Sequence, residues 1–169
     1  MANDHIATYL NDHLAGSVVA LELMENLESV FAGKPIAAFV AGLRVEVEED
    51  VQDLKGIMQR LDISESRTRK VSAWVTERFT ELKLRMDDPT RGELRQFESL
   101  EALSLGIEGK RSLWMSLSAA AEGTPQLRIA DYQRLRQRAE DQRARVEPKR
   151  LEAAKLALKW DEEKASKNA

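Results

Sequence analysis

The sequence predicts an all-α protein, a bundle of four long helices with an additional shorter helix that crosses between the second and third of them. Apolar residues recur at intervals of three and four along nearly the whole chain, which is the spacing of amphipathic helices. The composition agrees, since 33% of the residues are charged and only eight Gly and four Pro occur among 169. We therefore expect one domain over residues 1–169, with residues 164–169 as a frayed end.

The first two helices are predicted to form an antiparallel hairpin. Asn3 or Asp4 can cap the first helix, and Gly33 ends it. Pro35 then occupies the first position of the second helix, where the missing backbone N–H has no helical partner to lose. The inward stripes of the two helices contain Ile6, Leu10, His13, Ser17, Leu21, Met24, Leu27 and Phe31, followed by Ile36, Phe39, Val40, Leu43, Val47, Val51, Leu54, Met58 and Leu61.

The segment from Asp62 to Thr90 is too long for a hairpin loop and carries an apolar stripe of its own. That stripe consists of Val71, Trp74, Val75, Phe79, Leu82 and Met86. A helix of about 20 residues spans roughly 30 Å, so this segment can carry the chain back along the bundle and leave the second and third long helices parallel. A simple up-and-down five-helix bundle is the alternative. The same apolar face predicts a homodimer, unless packing within the chain covers it.

A capping box formed by Thr90 and Glu93 begins the third long helix. Gly106 and Gly109 lie inside this helix, where they indicate either the close approach of a neighbouring helix or tolerance at the surface. The apolar stripe of this helix contains Leu94, Phe97, Leu100, Leu103, Ile107, Trp114 and Leu117.

The last helix is predicted to start at Gly123–Thr124–Pro125 and to reach Trp160. Pro148 lies within it and predicts a kink or local break, because proline removes a backbone donor and clashes with the preceding turn. The three tryptophans, Trp74, Trp114 and Trp160, all fall on apolar stripes and are therefore assigned to the core or to a subunit contact.

Several classes of function are excluded or disfavoured by composition. The chain has no cysteine, which excludes disulfides, thiolate metal sites and Cys nucleophiles. No glycine-rich phosphate loop or nucleophile elbow occurs, and the acidic run Glu46–Asp50 lacks the spacing of a calcium loop and is typical of a solvated helix face. The first residues form no cationic leader, and no apolar run approaches the ~18 residues of a membrane span. The expected location is the cytoplasm, without membrane contact.

Charge is distributed unevenly along the chain. Residues 1–62 contain 4 Lys and Arg against 11 Asp and Glu, whereas residues 128–169 contain 12 against 8. The basic end could contact nucleic acid, or it could pack against the acidic start or form a solvated helix surface. The second interpretation is favoured, because the whole chain has a net charge of −3 and no groove-reading motif accompanies the arginines.

Three stretches carry a resemblance to uncharacterised bacterial proteins of the ferritin-like superfamily, namely YLNDHLAGSVVALELMENLE, FESLEALSLGIEGKRSLW and RAEDQRARVEPKRLEAAKLAL. The resemblance spans most of the chain. It implies a ferritin-like four-helix bundle with a helical crossover between the second and third bundle helices. Enzymes of this type use a Glu from the first and third bundle helices and Glu-x-x-His from the second and last. This chain offers Glu46-x-x-Glu49 and Glu140-x-x-Arg143 at the latter two places, so the usual di-iron ligands are absent.

The order and direction of the predicted helices also indicate which residues of different helices lie at the same height along the bundle axis. Glu101 lies on an apolar stripe and is expected level, within about one turn, with Glu22, Arg44 and the stretch Arg143–Val146, which favours an Arg–Glu network over a metal cage. His13 is the only histidine besides His5 and is expected level with Glu108 and Arg111. It can act as a ligand or base with Glu108, or be a core-edge imidazole with an ordinary hydrogen bond.

Two functions follow from the sequence. The favoured one is a non-enzymatic structural or interaction module that has lost the metal site and needs no cofactor. The alternative is a divergent carboxylate-rich metal-binding or redox protein. The candidate metal ligands of that alternative are His13, Glu22, Glu46, Glu49, Glu101 and Glu108.

Overall fold

The computed structural model describes residues 2–65 and 92–160. Within these ranges the chain forms four α-helices and no strand, which confirms the all-α prediction: α1 (Ala2–Val30), α2 (Pro35–Arg60), α3 (Gly92–Gly123) and α4 (Tyr132–Ala157). A short 3₁₀ turn, Pro125–Leu127, precedes α4. Four predictions lie outside the described residues, namely the crossover helix, the homodimer face with Trp74, Val75, Phe79 and Leu82, the capping box with Thr90, and the frayed end 164–169.

The α1–α2 hairpin forms where the sequence predicts it. Gly33 adopts a φ of +81°, a left-handed conformation that glycine reaches without steric cost and that ends the helix. Lys34 is the N-cap residue of α2, and Pro35 follows at the first helical position. Arg44 of α2 reaches back to Glu28 of α1 at 2.6 Å, so the two helices are joined across the hairpin.

The contacts of α4 define the direction of its neighbours. Along α2, residues of rising number meet residues of falling number in α4: Phe39 contacts Lys149, Glu46 contacts Arg145, and Asp53 contacts Arg138. The same holds for α3, where Glu101 contacts Arg150, Ser104 contacts Glu147, and Arg111 contacts Glu140. Both helices are therefore antiparallel to α4, and α2 and α3 run in the same direction.

An apolar core lies between the four helices. Its largest fully buried members include Trp114, Leu10, Met24, Leu27, Leu43, Ile57, Leu100, Leu103 and Leu135. Trp114 is 1% exposed, as its place on the stripe of α3 predicts. Trp160 is 82% exposed and therefore not part of the core, which leaves a subunit contact as its predicted role; it lies beyond the last residue of α4, where the helical spacing no longer fixes its direction.

The start of the last helix differs from the prediction. Proline at position 125 begins only the 3₁₀ turn, and α4 itself begins at Tyr132. Asp131 is the N-cap residue, with its side chain accepting a hydrogen bond from the backbone N–H of Arg134. The Tyr132 hydroxyl donates to the carbonyl of Leu127 at 2.8 Å, which fixes the turn against the helix.

Proline and glycine inside the helices are tolerated without interruption. α4 is continuous through Pro148, so the predicted local break is absent. The carbonyl that would otherwise accept the missing N–H belongs to Ala144, an exposed residue. A Cβ built on Gly106 or Gly109 would meet no atom of the described residues within 4 Å, so these glycines mark no close approach of α1, α2 or α4.

Candidate functional site

Polar side chains from three helices meet inside the bundle. Asp50 of α2 is 3% exposed and Gln142 of α4 is 0% exposed. The side chains of Lys110 on α3 and Arg138 on α4 are 15% and 20% exposed to solvent. We call these four residues the ionic layer.

Hydrogen bonds and ion pairs connect the ionic layer around the Asp50 carboxylate. The Lys110 ammonium donates to Asp50 Oδ2 and to Gln142 Oε1. Gln142 Nε2 donates to the same Asp50 oxygen at 3.1 Å. On the other side, Arg138 forms an ion pair with Asp50 Oδ1 and donates to Asp53 Oδ2 at 2.5 Å. One carboxylate therefore holds two cations and an amide in place.

Burial and charge act against each other in this layer. Burial lowers the pKa of Lys110, while attraction to Asp50 partly offsets that effect. Burial also disfavours the charged form of Arg138, but the hydrogen bond to Asp53 and the attraction to Asp50 outweigh it and raise the pKa of Arg138. The Asp50 carboxylate thus favours the charged form of both groups, and Asp53 adds to this effect at Arg138.

The position of Asp50 in the sequence already indicates that it belongs to a buried layer. Asp50 continues the helical spacing of Val47, Val51 and Leu54, which places it on the buried face of α2. The prediction of a solvated face for Glu46–Asp50 is therefore wrong at Asp50. Gln142 likewise lies on the apolar stripe of α4, whereas nothing about Lys110 in the sequence distinguishes it from a surface lysine.

Glu46 and Glu49, the candidate ligands on α2, do not form a metal site together. Arg145 binds the Glu46 carboxylate with both terminal nitrogens, one of them at 2.8 Å from Oε1. This hydrogen bonding lowers the pKa of Glu46, with burial opposing it. The side chain of Glu49 is 64% exposed and lies 3.9 Å from Arg138.

The predicted network around Glu101 does not form. The Glu101 side chain is 45% exposed, and its contact is Arg150 at 3.5 Å. Arg44 pairs with Glu28 and Glu48, while Arg143 approaches Glu108 at 3.7 Å. The order of the helices predicts how far along the bundle axis each residue lies, but not the direction in which its side chain points around the helix. That direction decides which carboxylate an arginine reaches.

Replacing Glu101 with Ala is expected to lower the free energy of unfolding by no more than about 1 kcal/mol, because exposed ion pairs contribute little. Urea denaturation of the two proteins measures the difference. A loss of several kcal/mol would show that Glu101 supports a buried group after all.

His13 lies beside Tyr9 and not beside a carboxylate of α3. The two rings meet edge to face with centroids 4.7 Å apart. Glu108, the expected partner of His13, pairs instead with Arg111 at 2.9 Å and with Arg143. Burial lowers the pKa of His13, and the charge of Asp12 only partly offsets it. Glu22, the remaining candidate, is exposed on α1.

Stability is expected to fall as His13 becomes protonated. The folded protein binds this proton less tightly than the unfolded chain, so the contribution of His13 is complete above its ordinary pKa of 6.5 and is lost as the pH falls through the lowered value. His13→Gln should therefore reduce the change in unfolding midpoint between about pH 7.5 and about pH 5.5. His5→Gln, at an exposed position of α1, is the matched control. An equal pH dependence in all three proteins would contradict the assignment.

The candidate ligands do not fit a di-iron centre. In residues 2–65 and 92–160, no group of three or more His, Asp or Glu side chains is placed to hold a metal ion. The carboxylate deepest in the bundle, Asp50, already binds Lys110 and Arg138. Lys110 and Arg138 therefore place positive charge beside the carboxylate that a metal ion would need as a ligand.

No protein-family model matches this chain, and comparisons with curated proteins and with solved structures likewise found no match. In the described ranges, no helix combines the length and apolarity required to cross a membrane.

Proposed function

We propose that this protein is a ferritin-like helical bundle that acts as a structural or interaction module rather than as a metal-dependent enzyme. The direction of the helices agrees with this topology, because α2 and α3 run parallel while each is antiparallel to α4. A crossover between the second and third bundle helices gives these directions, as does the up-and-down bundle of five helices. The resemblance of the three sequence stretches points to the same superfamily.

The ionic layer is the observation that carries the proposal. Lys110 places an ammonium between Asp50 and Gln142, and Arg138 places a guanidinium on the other Asp50 oxygen. A divalent ion about 4 Å from one such cation is repelled by about 8 kcal/mol at an effective dielectric constant of about 20. The Asp50 carboxylate is thus paired with two cations of the chain itself, which favours a metal-independent scaffold.

The arginines of α4 support a structural role as well. Arg138 and Arg145 bind carboxylates of α2, and Arg150 binds Glu101 of α3. These three arginine side chains point to carboxylates of neighbouring helices and are therefore poorly placed to bind a nucleic acid. We propose that the basic end of the chain holds the bundle together, and that the partner of the module is a protein, with a second copy of the chain as the first candidate.

Metal binding by protein purified without a histidine tag tests the proposal. Elemental analysis after incubation with Fe²⁺, Mn²⁺ or Zn²⁺ and desalting should find no stoichiometric metal, and the unfolding midpoint should be the same with metal and with chelator. Iron oxidation should not exceed that of buffer. About one or two ions per chain, lost in Glu46→Gln or Glu49→Gln, would instead support a carboxylate-rich metal or redox protein.

A further inference from the structure

The acceptors that bind the Lys110 ammonium form a small binding site in addition to a salt bridge. Its ammonium enters from α3 and meets acceptors on two other helices, Asp50 Oδ2 and Gln142 Oε1. Gln142 is held in turn by its own hydrogen bond to Asp50 at 3.1 Å. The two acceptors are therefore hydrogen-bonded to each other as well as to the lysine.

The geometry points to a receptor site for a primary ammonium group, formed by Asp50 and Gln142 and filled in this chain by its own Lys110. We propose that shortening Lys110 opens this site to small alkylammonium ions from solution. This inference goes beyond the structural role proposed above, which stands whether or not an external ligand can enter.

The chemistry of the site favours ammonium over other cations. Two of the three N–H groups of Lys110 find acceptors there, whereas a quaternary ammonium has no N–H to donate. Arg138 occupies the remaining oxygen of Asp50 and repels a divalent ion that approaches the same carboxylate. The carboxylate supplies one negative charge, and the amide oxygen adds a neutral acceptor, which together suit a monovalent donor.

Access to the site follows from the path of the lysine stem. The Lys110 side chain is 15% exposed to solvent, so its methylene chain reaches from the surface to the buried Asp50 carboxylate. Lys110→Ala removes three methylene groups and the ammonium, which are the heavy atoms of n-propylammonium. The ligand that matches the vacated space is therefore propylammonium, and shorter homologues should bind less tightly because they bury fewer methylene groups.

The experiment measures thermal unfolding of Lys110→Ala in the presence of propylammonium chloride. At tenfold excess over the dissociation constant, the midpoint should rise by about 3–6 °C and then change slowly with concentration. Methylammonium should act more weakly, and tetramethylammonium chloride of equal ionic strength should have no specific effect. The wild-type protein and the double variant Asp50→Asn/Lys110→Ala should show no such rise.

A second variant covers the case in which Lys110→Ala does not fold. Lys110→Met keeps most of the stem and leaves only the position of the ammonium vacant, so ammonium chloride should raise its midpoint more than sodium chloride does. A rise that is equal in the wild-type protein, or that persists without the Asp50 carboxylate, would overturn the proposal. So would the absence of any ammonium-specific rise in both Lys110 variants.

Discussion

Replacing Asp50 with Asn is expected to lower the free energy of unfolding by about 3–5 kcal/mol, the typical result of breaking a buried ion pair. The substitution keeps the shape of the side chain but removes the carboxylate that holds Lys110 and Arg138. Lys110 then remains buried beside a neutral amide. Among the described residues, Arg138 retains the partly exposed Asp53 and Glu49 at 3.9 Å. Urea denaturation followed by circular dichroism measures the loss.

Glu49→Gln is the matched control for Asp50→Asn. It makes the same chemical change one residue away, at a side chain that is 64% exposed. Its cost should stay within about 0.5 kcal/mol, as expected of a surface position. Similar losses in the two variants would show that the effect reflects the charge of α2 as a whole, and that burial at Asp50 is not its cause.

Replacing Trp114 with Ala is expected to cost about 3–5 kcal/mol, because a large buried aromatic side chain is lost and a cavity remains. Trp114 is 1% exposed and belongs to the core between the helices. Its Nε1 makes no hydrogen bond with any residue of the described ranges, so the loss is one of packing rather than of polar contacts. Trp114→Phe should therefore recover much of the stability.

Trp160→Ala provides the control for this second prediction. The same residue type is removed at a position that is 82% exposed, beyond the end of α4. Its cost should be within about 0.5 kcal/mol. A loss comparable to that of Trp114→Ala would mean that Trp160 packs against a surface in solution.

Local signals in the sequence were sufficient to predict much of the fold. Gly33 and Pro35 specify the hairpin, since one permits a left-handed turn and the other suits the first position of a helix. The length of the segment after Asp62 predicts parallel α2 and α3, which the contacts of α4 confirm. The start of α4 was misplaced because Pro125 is equally suited to a short 3₁₀ turn, and the capping residue Asp131 is six positions further on.

The candidate site was less accessible from sequence, for a physical reason. The pairing of charged side chains depends on how each helix is rotated, and a rotation of one residue changes which arginine meets which carboxylate. Glu101 was assigned to a buried network, although its side chain is 45% exposed. Asp50 was assigned to the surface, although its spacing from Val47 and Val51 placed it inward. Long side chains such as Lys110 reach the interior from positions that periodicity marks as peripheral.

A double-mutant cycle between Asp50 and Lys110 tests the central claim, that a buried ionic layer stabilises this bundle through direct pairing. The four proteins are the wild type, Asp50→Asn, Lys110→Met and the double variant, compared by their free energies of unfolding in urea. We predict that the double variant loses less than the two single variants together by at least about 1.5 kcal/mol, because each single change removes one of two opposite charges and leaves the other buried without it. Additive losses, within about 0.5 kcal/mol, would contradict the account.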